Sequence, residues 1–220
     1  MEFKVNQDYN PSFRNLKSAL KDKDIELIKK HAHEVHEMAH HFPDKPNHKN
    51  MMSPLMEKYN PSIWNQQYTK KYEPKRSIAF MIYHTTRIED INMNTLIAKR
   101  EQVFFENNIQ EKLNIPYSDT GNAWNDEDME KFNSSININE LLKYRLLVAN
   151  RSKQIIDTLT LDEIKRKPDD EDINRLKGTS VSEDEGAIWL LDYWKNKTIG
   201  QLLLMPLTRH QAFHLNECIQ

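Results

Sequence analysis

One cysteine, four glycines and no long apolar run set the first limits on this chain of 220 residues. The single thiol, Cys218, excludes an internal disulfide and any zinc site built mainly from thiolates, so a metal here must be held by histidine and carboxylate. So few glycines disfavour a turn-rich β architecture and favour helices. No apolar run approaches the ~18 residues that cross a bilayer, and Met1-Glu2-Phe3-Lys4-Val5-Asn6 lacks the apolar core of a signal peptide. A soluble, cytoplasmic protein with no membrane partner is therefore expected. An excess of one charge is also missing, with 31 Lys and Arg against 33 Asp and Glu. With no concentrated basic face either, nucleic acid is not expected as a partner. Glycine-rich phosphate loops and a Gly-x-Ser-x-Gly elbow are absent too, which leaves nucleotide-dependent and serine-hydrolase readings without support.

What is present reads as one all-α domain over 1–220. Asn10-Pro11, Ser53-Pro54 and Asn60-Pro61 each pair a capping side chain with a proline at the first helical position. Thr160 with Glu163, Ser182 with Glu185 and Thr198 with Gln201 read as capping boxes, and Asn137 with Glu140 is a related arrangement. Apolar spacing predicts four long helices, over about 25–42, 76–101, 138–159 and 198–217, with Pro206 bending the last. Shorter helices are expected over 53–68, 125–132 and 183–195. Four amphipathic helices of similar length predict an antiparallel four-helix bundle with additional short helices.

The chemistry concentrates in histidine. Leu203, Leu207, His210, His214 and Glu217 follow a 4,3,4,3 spacing, which puts both imidazoles on the inward stripe of the last helix. His84 lies on a second apolar face, with Phe80 and Met81 behind it and Ile88 and Ile91 ahead. One such histidine alone is an ordinary hydrogen-bonded core residue, but an i,i+4 pair with a third in register predicts a divalent metal held by His84, His210 and His214. Imidazole suits zinc and nickel, with iron, cobalt, copper or manganese as further candidates, so the ligand set does not name the ion. Three protein ligands leave coordination positions open for a water or a substrate thiol.

The remaining features carry less. His31, His33, His36, His40 and His41 crowd the first long helix. An independent metal site on His33, His36 and His40 is conceivable, but that stripe only borders the seam of Ala32, Val35 and Ala39, so most of it is expected in solvent. His36, nearest the seam, is the candidate catalytic residue, orienting a substrate or relaying its proton. Glu89 and Asp90 read as helix-surface or inter-helix partners, Trp189, Tyr193 and Trp194 as core, Cys218 as a small buried hydrophobe, and the charged run 165–172 as a solvated connection.

His84-Thr85-Thr86-Arg87-Ile88-Glu89-Asp90, together with His210-Gln211-Ala212-Phe213-His214, resembles the DinB/YfiT-like superfamily of metal-dependent proteins. Asp119-Thr120-Gly121-Asn122, Asp192-Tyr193-Trp194 and Leu202-Leu203-Leu204-Met205-Pro206 carry the resemblance over most of the chain. It implies a four-helix bundle with a long crossover between the second and third helices, assembled as a homodimer, and a divalent metal on His84, His210 and His214. It also implies a small-molecule substrate, because characterised relatives include S-transferases and isomerases that use a low-molecular-weight thiol. A non-catalytic metal-binding or stress-response role is the alternative. Arg87, Arg145 and Arg209 are candidates for a pocket that takes the carboxylates of such a thiol.

Overall fold

Ile78–Asp90 forms the centre of the fold because it keeps no face for water: every residue in it is buried. Ser77 starts this helix, its hydroxyl accepting the Phe80 N–H and donating to Asn133 Oδ1. A helix this buried must satisfy its polar side chains internally. The Arg87 guanidinium donates to the Ser118 carbonyl, Gln102 Oε1 and the Tyr144 hydroxyl, and lies 3.4 Å from Asp90. Asp90 in turn accepts the Val103 and Phe104 N–H groups at 2.9 Å and the Tyr144 hydroxyl at 2.7 Å. Removing either charged partner of this pair would cost on the order of 3–5 kcal/mol, because the other would remain buried and uncompensated.

The computed structural model describes residues 3–69 and 75–219, so Met1 and Glu2 of the N-terminal segment read above lie outside it. The described residues are helical, with no strand and two isolated bridges, Tyr68 with Ser77 and Lys177 with Val181. None of the helices is long and apolar enough to cross a membrane. Asn10–Asp22 packs on Ile25–Glu37, while the His84 helix lies against the long helix Ile138–Thr158 and the last helix, Arg209–Ile219. One apolar core runs through all of these, from Leu16, Ile28 and Val35 to Tyr83, Tyr144, Val148 and Leu215.

Local signals hold at several ends. Thr160 with Glu163 and Thr198 with Gln201 form capping boxes, and Asn137 accepts the Glu140 N–H. Asn125 and Asp128 form a further box. Other expectations are corrected. Ser182 does not cap a helix; its hydroxyl donates to Asp184, the residue that precedes Glu185–Lys195. The helix expected over 53–68 is short, Met52–Lys58, followed by a single turn at Pro61–Ile63. The first long helix stops at Glu37, five residues early. The charged run is half structure, since Asp169 caps a helix at Asp170–Leu176 and Arg166 bonds the Leu96 and Ile97 carbonyls. Trp194 is core, but Trp189 is half exposed.

Pro206 does more than bend the last helix. Met205 is extended, at φ −155° and ψ 115°. Pro206 has no N–H with which to continue the helix through it, and the non-helical Met205 parts the segment in two. The final segment therefore comprises a short turn, Ile199–Leu202, and a separately directed helix that carries both histidines.

Candidate metal centre

Three ring nitrogens meet where the His84 helix faces the last helix. His84 Nε2 is 3.2 Å from His210 Nε2, which is 3.1 Å from His214 Nε2. His84 is buried, and His210 and His214 are partly so. The i,i+4 spacing puts His210 and His214 on one face, edge to face, with ring centroids 4.5 Å apart.

The far side of two rings fixes their protonation. His84 Nδ1 is 2.7 Å from the Thr120 carbonyl, an acceptor only, so Nδ1 carries the hydrogen and Nε2 presents a lone pair. His214 Nδ1 donates to Glu217 Oε2 at 2.9 Å, with the same result. Two bare lone pairs thus point at His210 Nε2, which holds at most one proton. At least one nitrogen contact near 3.1 Å has no hydrogen in it, an arrangement that a shared cation relieves. Metal–nitrogen bonds of about 2.0–2.1 Å separate ligand nitrogens by about 3.3 Å in tetrahedral geometry and about 2.9 Å in octahedral geometry. The observed spacings fall between the two.

Electrostatics keeps His84 and His210 neutral and able to ligate. Burial, and then the neighbouring His214, pushes His84 down to about 3 against the pull of the Thr120 carbonyl. Burial, then His84 and His214, holds His210 well below the ordinary histidine value. The buried Cys218 thiol is pushed up to about 12 by burial and by Glu217, so it is no nucleophile at neutral pH.

The loop at 118–122 supplies the His84 anchor. Asp119 Oδ1 accepts the Gly121 N–H, and Gly121 takes φ +75°, a left-handed value that costs glycine little. The turn aims the Thr120 carbonyl at His84, while Tyr83 bonds the Asp119 carbonyl and Phe80 stacks on the His84 ring at 5.7 Å.

Of the residues singled out by sequence, the structure gathers His84, His210 and His214. His36 lies elsewhere, fully buried, with Nε2 2.7 Å from Glu89 Oε1. His40 is buried beside it, whereas His33 reaches outward to Asp157, so the histidine-rich stripe is less solvated than its pattern implies. Glu89 and Asp90 are core residues, not surface ones. Arg87 and Arg145 are buried and committed to internal partners, which leaves only exposed Arg209 of the three arginines facing solvent. The residues that sequence reasoning left without a role are Thr120 and Glu217. Glu217 had a signal, three residues beyond His214 on one face; a backbone carbonyl has none. No family model matches the chain, and no curated protein matches it closely enough to count as a relative.

Proposed function

We propose that the chain is a divalent-metal-dependent enzyme of the DinB/YfiT-like kind, built as a four-helix bundle and acting as a homodimeric S-transferase on a low-molecular-weight thiol. The observation that carries the metal is the meeting of two bare ring nitrogens at His210, each fixed by an acceptor on its far side. Zinc or nickel suits three imidazoles best. A cation bound there supplies a positive charge that lowers the pKa of water or thiol in the remaining positions.

The side chains around the site support chemistry over a closed structural role. Three imidazole ligands leave the cation's charge uncancelled, and among the described residues no fourth ligand joins the group. Glu217 tightens His214 as a donor through the bond at Nδ1. Phe213, about half exposed next to His214, offers an apolar wall to a substrate entering from solvent. The transferase reading rests on the resemblance of the motifs together with this open imidazole ligand set.

Elemental analysis tests the metal: His84→Ala and His210→Ala should each lose one equivalent that the unaltered protein carries, and unchanged content in either variant overturns the assignment. Adding a small thiol to the cobalt-substituted protein should produce a sulfur-to-metal charge-transfer band, with faster consumption of the thiol by an electrophile than in solution. Metal binding with neither response would point to the non-catalytic role instead.

A further inference from the structure

Beside the three-histidine group, and on different residues, lies a second cluster of potential ligands. His36 and His40 come from the first long helix and the turn after it, and Glu89 comes from the His84 helix; their ligand atoms all lie within 4.8 Å of one another. None is more than 2% exposed. His36 Nε2 is 2.7 Å from Glu89 Oε1 and His40 Nε2 is 3.0 Å from Oε2.

Hydrogen bonding accounts for only part of this. The His36 contact is a hydrogen bond, but the His40 contact is not, despite its distance, and neither ring nitrogen of His40 has a hydrogen-bond partner. His40 Nε2 meets the carboxylate at contact distance without hydrogen-bond geometry, the approach of a group placed to share a cation with it.

The carboxylate is also held from behind. Ser152 donates to Oε1 at 2.6 Å and Gln211 Nε2 donates to Oε2 at 2.7 Å. Arg145 stands one bond further out, donating to Gln211 Oε1 and to the Ala39 carbonyl. Polar groups that orient a ligating carboxylate in this way are the usual outer shell of a metal site. Two imidazoles and one carboxylate are, in turn, a common ligand set for divalent first-row metals.

We infer that His36, His40 and Glu89 form a second, buried divalent-cation site, separate from the one on His84, His210 and His214. With bonds of about 2.0–2.2 Å, the cation would part the carboxylate from the two rings by a few tenths of an ångström. Closed to solvent, it serves as a fastening between three parts of the chain: the first long helix, the His84 helix and, through Gln211, the last helix.

The test is a cobalt titration of metal-free full-length protein, read in the visible spectrum and checked by elemental analysis. The unaltered protein should take two equivalents per chain. His40→Ala and His36→Gln should take one, keeping the equivalent that His210→Ala loses; Gln at position 36 keeps a hydrogen bond to Glu89 and cannot replace the ligand, so it reads binding even if His40→Ala folds poorly. In His210→Ala loaded with zinc, X-ray absorption should show nitrogen and oxygen scatterers from two imidazoles and a carboxylate. One equivalent in the unaltered protein, lost with His210→Ala and kept with His36→Gln, overturns the second site and leaves the first standing. Loss of one equivalent with His36→Gln but none with His210→Ala does the reverse, and no binding at all overturns both.

Discussion

Glu217→Ala removes the acceptor that sets the His214 tautomer and leaves all three candidate metal ligands in place. Glu217 Oε2 lies 2.9 Å from His214 Nδ1, and the carboxylate is buried, at 8% exposure, so the bond is charge-assisted and poorly screened. When a cation draws electron density from Nε2, the N–H on the opposite side of the ring becomes more acidic, and this bond strengthens on loading. Removing an acceptor of this kind weakens metal binding by about 10- to 100-fold, or about 1.4–2.7 kcal/mol. Glu217→Gln keeps an acceptor oxygen without the charge and should fall between the two. Affinity is measured by competition with a chromophoric chelator at fixed pH, with thermal unfolding of the metal-free proteins as the control for fold. A Glu217→Ala dissociation constant within threefold of the unaltered protein would refute the role given to this carboxylate.

Two further predictions concern stability. Burial alone would raise the Glu37 carboxyl, but hydrogen bonds from Lys153 at 2.8 Å and Lys45 at 2.7 Å hold it near 2, against 4.5 in its absence. A carboxyl depressed by folding contributes stability above about pH 4.5 that disappears as pH falls through about 2, so denaturation curves of the unaltered protein and Glu37→Gln should converge over that window; a gap that stays constant down to pH 2 would sink the ion-pair account. Gly121→Ala would place a Cβ 2.6 Å from Phe80 at φ +75°, and should cost about 1–3 kcal/mol in urea denaturation and weaken metal binding through the displaced Thr120 carbonyl; equal stability would show that the turn is not held as described.

The histidine trio was legible because helical periodicity reports which face of a segment turns inward, and His210 and His214 share the face of Leu207. Their anchors differ in kind. Glu217 follows the same periodicity, but the Thr120 carbonyl arrives from a loop 36 residues away in sequence, and main-chain atoms leave no mark in composition. Burial of charge was equally hidden. Glu89, Arg87 and Arg145 look like surface residues by type, and only the partners brought by other parts of the chain, Ser152, Gln211 and Tyr144 from helices and Ser118 from a loop, make the core habitable for them. His40 shows the limit of the stripe argument, since it follows the helix end and is buried by the turn there, not by helical phase. The last helix shows a different error: the lost N–H of Pro206 predicts a bend, whereas the extended Met205 makes a break.

That break has a mechanical consequence for the histidines. Along a continuous α-helix each added or deleted residue would rotate everything downstream by about 100°, and His210 and His214 would swing away from His84. The extended Met205 uncouples that phase, so the direction of the histidine-bearing helix is set by its own packing against the His84 helix and not by the turn at Ile199–Leu202. The joint lets the chain before residue 205 change in length or twist while the ring nitrogens stay where they meet. Register, which elsewhere in a helical protein is inherited from the preceding turn, is here established afresh within a dozen residues of the two histidines.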